Sequence, residues 1–186
     1  MNIRGDCIEV VHPLFQEEGD GSIPISPLQL HFGQITLKQA KQLNEHWHSR
    51  LPAYTQTQAI ICFAAEFSGV FYASAIWSNP SSASLPSNWL ELKRMAIGKN
   101  APKNTASRMI GWMVREIRKK YPFCPKLISY QDTDVHSGTI YKASGWRAAY
   151  TSKGDTWRGR KNRPRGIEQT TSPKVRWEYD MVPNVM

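Results

Sequence analysis

The chain has 186 residues, 40% of them apolar and seven of them tryptophan, which suits one ordinary domain with a buried core rather than a disordered or coiled-coil chain. Its formal net charge of +9 is lopsided: residues 1–92 hold four Lys/Arg against eight Asp/Glu, and residues 93–186 hold twenty against seven. A basic half of this kind points to a polyanionic partner, nucleic acid first, while three cysteines without CxxC or metal-ligand spacing exclude a disulfide framework and suit a reducing compartment.

Residues 1–27 carry acidic residues and His12-Pro13 where an export signal would have an apolar core, and they read as an N-terminal extension. "LQLHFGQI", Leu28 to Ile35, is strand-like. Thr36 with Gln39 then forms a capping-box signature for a helix running to about Arg50, where Pro52 ends it. Strands are expected near Ala59–Phe67 and Gly69–Trp77, joined at Ser68-Gly69; Glu66 and that turn keep this apolar stretch from being a membrane span.

After a Ser/Pro-rich loop, Asn79 to Asn88, the segment "WLELKRMAIG" predicts another strand over Trp89–Gly98. Asn104 is placed to cap a second helix with Met109, Ile110, Met113, Val114 and Ile117 at core-facing spacing. Arg108, Arg115, Arg118 and Lys119 fall on a different, basic stripe. Beyond Pro122 and Pro125, "KLISYQD" is a strand, Thr139–Ser144 a short helix with Gly145 as its C-cap, and "WRAAY" a strand. The basic segment Lys153–Gly166 and a last strand in "KVRWEYDM" follow. The expected organisation is therefore an extension over 1–27, a catalytic domain over 28–152, and a basic loop and strand over 153–186 completing the same domain.

This order of elements, with "Y-x-x-x-G-W" in Tyr141 to Trp146, resembles the GCN5-related N-acetyltransferase fold, an α/β (α+β) architecture with a mixed, mostly antiparallel sheet flanked by helices. Three stretches narrow the likeness. "SYQDTDVHSGTIYKASGW", "LKRMAIGKNAPKNTASR" and "NEHWHSRLPAY" together resemble the Mom family of phage DNA-modification proteins, a divergent branch of that fold. The likeness lies in a His-aromatic segment after the first helix, an arginine at the fourth strand, an "N-x-x-S-R" helix start, and a "SY-x-D … G-x-x-Y" core, all present in order.

The resemblance implies an enzyme that places a carbamoylmethyl (acetamido) group on adenine N6, shielding phage or prophage DNA from host restriction in the cytoplasm of the host cell. An exocyclic adenine amine is a poor nucleophile, because its lone pair is delocalised into the ring, so it needs positioning and help with proton removal. The Asp132 carboxylate at a strand end suits that work, or else caps the following turn. Tyr141 corresponds to the tyrosine that in acetyltransferases protonates the departing thiolate, the other reading being a packed tyrosine with one satisfied hydroxyl. Arg94 either faces the cleft or pairs with a carboxylate such as Glu91, and His48 completes the implied catalytic set.

Asn104, Ser107 and Arg108 lie at a helix start, where free N–H groups and the helix dipole favour an anion. Acetyl-CoA or a related acyl donor is the implied cofactor. "GKNAPKNTASR" departs from the usual acetyltransferase loop, however, because only Gly98 is glycine and Pro102 removes a donor.

His46 and His48 are the metal candidates, with iron as the metal considered. Two positions apart on a helix their imidazoles diverge, so Asp132, Asp134 or His136 would have to add ligands. The implied partner is double-stranded DNA with a flipped adenine. Trp47 and Tyr130 are candidates to stack on bases, and Arg158, Arg160, Lys161 and Arg163 to neutralise phosphates. No membrane partner is expected, and a homodimer is an admissible assembly. Two other readings stay open: a conventional acetyl-CoA-dependent N-acetyltransferase acting on an amine or protein, and a non-catalytic DNA-binding protein.

Overall fold

The structure, a computed structural model, describes residues 2–4, 7–9, 23–47, 53–154 and 172–181. Nine strands and three helices follow one another as β1 (Asn2–Arg4), β2 (Cys7–Glu9), β3 (His31–Ile35), α1 (Leu37–Trp47), β4 (Ile61–Phe67), β5 (Val70–Ser78), β6 (Leu90–Ile97), α2 (Thr105–Lys120), β7 (Lys126–Asp132), α3 (Thr139–Ala143), β8 (Arg147–Ser152) and β9 (Lys174–Asp180). All the strands belong to one sheet, in which β3 and β4 extend one side of β5 while β6, β7, β9 and β8 follow on the other. The fold is a mixed, mostly antiparallel sheet flanked by helices, since β6 and β7 alone run parallel among the described strands.

The central strands are apolar on both faces because both faces are covered. On one face α1 sets Ala40 and Leu43 against Cys62, Ala64, Phe71 and Ile76. Its Asn44 amide donates to the Ser74 hydroxyl at 2.7 Å and to the Ala40 carbonyl at 2.9 Å, tying the helix to β5. On the other face α2 buries Met109, Ile110, Met113, Val114 and Ile117 against Phe63, Ala75, Trp77, Leu92 and Leu127. Burial of each of these side chains stabilises the fold by roughly 1.5–3 kcal/mol. The 3.6-residue period of the helix matches this face, and Arg108, Arg115 and Lys119 lie exposed outside it.

Local signals set several boundaries. Thr36 and Gln39 bond reciprocally, with the Gln39 N–H donating to the Thr36 hydroxyl at 3.2 Å and the Thr36 N–H donating to the Gln39 side chain at 3.0 Å. Ser68 at φ 50° and Gly69 at φ 77° form the two-residue hairpin turn between β4 and β5, in the left-handed region that such turns demand.

Two expectations need correction. Pro27–Gln29 is a 3-10 turn capped by Ser26, so Leu28 does not open a strand: Pro27 presets the turn and Gln29 closes its own capping box. Asn104 occupies the N-cap position of α2 but in left-handed conformation, φ 70°, without a side-chain cap bond; Thr105 bonds back to the Pro102 carbonyl instead, at 2.7 Å. The described part of the first helix ends at Trp47, and His48–Pro52 lie outside the described residues. A hairpin of β1 and β2 also joins the sheet at the first two residues of β5, where residues 1–27 had been read only as an extension.

Candidate active site

Two parallel strands that stop pairing midway create the central feature. β6 and β7 pair only at Leu90–Leu127, Glu91–Ile128 and Leu92–Ser129, and beyond Ser129 strand β7 turns to β9 alone. The edge of β6 from Lys93 onward therefore faces a wedge-shaped cleft with backbone donors and acceptors that pair with no strand among the described residues. A bulge helps open it: Ile76 pairs with Arg94 and Trp77 with Leu92, leaving Lys93 as the extra residue.

Tyr141 reaches the apex of this fork from α3. Its hydroxyl lies 2.8 Å from the Ser129 hydroxyl, with either oxygen able to donate, and the Ser129 hydroxyl lies 3.4 Å from the Leu92 carbonyl. The tyrosine ring stacks on Trp177 at 5.4 Å and lies 5.7 Å from Trp146. Burial raises the Tyr141 pKa above its ordinary value, although the Ser129 bond opposes the shift. The hydroxyl thus stays protonated through the neutral range. The stability held by neutral Tyr141 is in place below the ordinary tyrosine value of about 10 and declines as pH rises through the raised one.

The support beneath Tyr141 is polar and tightly fitted. The Trp177 indole N–H donates to the Gln131 side-chain oxygen at 2.6 Å, and the Gln131 amide in turn bonds the His136 carbonyl. Gly138, at φ 74°, packs directly on these two side chains.

On the opposite face the cleft is lined differently. Arg94 donates to the Lys93 carbonyl at 2.9 Å and lies 5.7 Å from the Tyr54 ring. Burial lowers its pKa, with Tyr54 and Glu91 acting against that shift. Of the two alternatives for Arg94, a hydrogen-bonded pair with Glu91 does not form: Glu91 accepts from Lys93 at 2.8 Å and from the Ser81 N–H at 2.7 Å, although the bulge leaves Arg94 on the face of Glu91. Strand alternation puts Asp132 with Tyr130 on this face, away from Ser129 and Tyr141. Asp132 and Tyr141 hence do not line one wall together, as a linear reading suggests. Asp132 also caps the turn after β7, its Oδ1 accepting from the Asp134 N–H at 3.0 Å.

At the start of α2, Ser107 donates to the Asn104 carbonyl at 3.1 Å, and the exposed Arg108 guanidinium lies 5.7 Å from the Phe32 ring. Ser144 donates to the Ser107 carbonyl at 3.1 Å, tying α3 to this helix start. The Thr105 N–H donates to the Pro102 carbonyl at 3.2 Å, while the next first-turn N–H groups lack intrahelical partners and Asn104 supplies no side-chain cap, so these donors fit an anionic group.

Trp47 is half-buried against Leu43, Ala64 and Phe71, and Tyr130 is exposed. His48, Arg158, Arg160, Lys161 and Arg163 lie outside the described residues. No group of three or more His, Cys, Asp or Glu among the described residues is placed to hold a metal, so the described residues do not assemble the donor set an iron ion needs. The G-W pair points to Trp146, whereas Trp177 and Gln131 carry no local signal and only the sheet register brings them to Tyr141. Likewise, no described helix is long and apolar enough to cross a membrane.

Cys62 and Cys124 are buried, and burial pushes the Cys62 thiol up to about 11 and raises Cys124 as well. Both are expected to stay unmodified when folded protein is treated with iodoacetamide near neutral pH, as peptide mass spectrometry would show. Rapid alkylation of either would mean that the layer holding it opens readily.

Comparison with known proteins agrees with this architecture. Solved structures with the same fold include the ribosomal-protein-S18-alanine N-acetyltransferase of Escherichia coli, with a TM-score of 0.58 and 10% identity over 82% of this chain and 94% of that one. An N-acetyltransferase from Staphylococcus aureus gives 0.58 and 13% over 82% and 98%. An acetyltransferase from Bacillus subtilis, solved in complex with CoA, gives 0.50 and 12% over 82% and 97%. At these identities the likeness is one of fold. No curated protein matches. The Mom protein family profile matches residues 29–178, from the strand before α1 through the carboxylate of Glu178, and the chain belongs to the Mom protein family.

Proposed function

We propose that this protein is a DNA-modifying transferase that adds a carbamoylmethyl group to adenine N6 in phage or prophage DNA and so protects it from host restriction. The observation that carries the reading is the fork between β6 and β7 in a chain of the Mom family, with a buried tyrosine hydroxyl at its apex and an arginine–carboxylate face behind it. The sheet divides the work. Tyr141 holds a proton at its hydroxyl on one face, for a leaving group in the cleft. Asp132 and Arg94 stand on the other face, from which an acceptor amine would approach; there the carboxylate takes the amine proton and the guanidinium orients the substrate.

A coenzyme-A-type donor would supply the group only if it carried the carbamoylmethyl on its sulfur through the methylene carbon, so that the sulfur–methylene bond breaks and the thiol leaves as the N6–methylene bond forms. Asn104, Ser107 and Arg108 would hold its anionic part at the start of α2, a reading supported by the CoA complex of the similar Bacillus subtilis acetyltransferase. Double-stranded DNA with the target adenine flipped out is the substrate, because N6 of a paired adenine lies within the base stack. The basic half of the chain supplies the field that attracts it.

Nucleoside mass spectrometry of plasmid DNA from cells expressing the chain tests substrate and chemistry together. Deoxyadenosine heavier by one carbamoylmethyl group is expected. Unmodified deoxyadenosine alone, with folded soluble protein confirmed in the same cells, would overturn the assignment.

A further inference from the structure

Resting on that DNA reading, the geometry points to a second contact surface: the row Tyr130, Arg176 and Tyr150, across β7, β9 and β8, is a platform for an unstacked nucleobase with a cation set beside it for the flanking phosphate. The three residues lie side by side because Tyr130 pairs with Arg176 on β7–β9 and Tyr150 pairs with Arg176 on β8–β9. With strands about 4.8 Å apart, the two tyrosine backbones stand roughly 10 Å from each other across the arginine.

Regular pairing would not give this row. Ala148 pairs with Trp177, and the next partner of β8 is Tyr150 opposite Arg176, so Ala149 is an extra residue whose bulge turns Tyr150 onto the arginine's face. Had the ladder run on without it, Ala149 would occupy that place. The sheet gives up regular pairing to put an aromatic ring beside a cation.

Neither ring serves the core. Tyr150 is 57% exposed and Tyr130 is 37% exposed, whereas Trp177, Trp146 and Tyr141 on the other face are each under 10%. The Arg176 guanidinium lies 5.7 Å from the Tyr150 ring. The Arg176 side chain also acts on Tyr130, partly offsetting the rise that burial causes in the Tyr130 pKa. One aromatic–cation–aromatic strip results.

Charge on this face favours an anion. Glu178 is buried and shared by three cations, with Lys126 at 2.7 Å, Arg147 at 2.9 Å and Arg176 at 2.9 Å. Asp180 is half-exposed beside Lys126 and Arg147, on the side of Glu178 away from the tyrosine row. Lys174 pairs across the ladder with Asp132 at the opposite end. Aromatic faces stack on any base, and a guanidinium between them suits a phosphate, which together describe one unpaired nucleotide of the bound strand.

The test uses the full chain and fluorescence anisotropy at constant salt. Two probes of equal length serve: a labelled single-stranded adenine-containing oligonucleotide, and the same backbone built of abasic units. The wild type is expected to bind the base-bearing probe about tenfold or more tightly than the abasic one. The Tyr130→Leu/Tyr150→Leu double variant should bind both probes alike, at the wild-type abasic affinity, with each single variant intermediate and an unchanged melting curve confirming the fold. Equal binding of both probes by the wild type, or a base preference that survives the double variant, would overturn the platform while leaving the DNA reading standing on its phosphate contacts. No binding of either probe by folded wild type would overturn both.

Discussion

Gly138→Ala is expected to destabilise the protein by roughly 3 kcal/mol. A methyl group at this position would meet the Gln131 side-chain oxygen and Trp177 Cζ2, each at 2.5 Å. Backbone at φ 74° adds the left-handed penalty, about 1–2 kcal/mol for a residue with a side chain, and overpacking adds about 1–3 kcal/mol. Neither neighbour can move freely: Trp177 is stacked on Tyr141, and Gln131 holds the Trp177 N–H and the His136 carbonyl. Urea unfolding followed by tryptophan fluorescence measures the loss. An unchanged midpoint would show that the loop from Asp132 to Gly138 yields without disturbing the aromatic stack. The same variant should lose modification activity beyond its loss of folded protein, because any shift of Trp177 moves the ring that carries the Tyr141 hydroxyl.

Tyr141→Phe should lower modified deoxyadenosine per folded molecule about 10²- to 10⁴-fold, the range for removing a general acid. Its cost in stability should be small, about 1 kcal/mol, because the ring stays stacked and only the bond to Ser129 is lost. Asp132→Asn should give a loss of activity in the same range, and its retained side-chain oxygen can still accept from the Asp134 N–H, so the turn persists. Melting temperature and modified nucleoside measured on the same preparations separate chemistry from folding. Near-normal modification by folded Tyr141→Phe would make this hydroxyl a core hydrogen bond. The same result for Asp132→Asn would reduce that carboxylate to a turn cap.

Much of the fold is legible in the chain itself, because it is written in local patterns. The core face of α2, the capping box of Thr36 and Gln39, the Ser68-Gly69 hairpin, the limits of β7 and the left-handed Gly145 at φ 78° each depend on residues within a few positions of one another. The segments that resemble the Mom family are likewise short, and the family follows from them. Asn104 shows where local reading stops: its residue type promises a side-chain cap, but its backbone is left-handed and Thr105 bonds the Pro102 carbonyl instead.

Composition placed the basic charge in the second half, periodicity and turn signals set the elements, and the resemblance carried by the short motifs pointed to the fold class and the family. Tertiary structure alone decided which face of the sheet each polar residue occupies. A bulge shifts alternation by one residue, and no local pattern announces it: Lys93 puts Arg94 on the same face as Glu91 and Ile76, and Ala149 swings Tyr150 beside Arg176. Asp132 and Tyr141 stand on opposite faces because β7 alternates strictly while α3 crosses beneath it. Trp177 and Glu178 enter the site from β9, a segment far along the chain, because the ladder register sets them against Ser129 and Ile128. Long-range pairing is a property of the closed sheet, so the position of the fork and the partners at its apex exist only once every strand is in place.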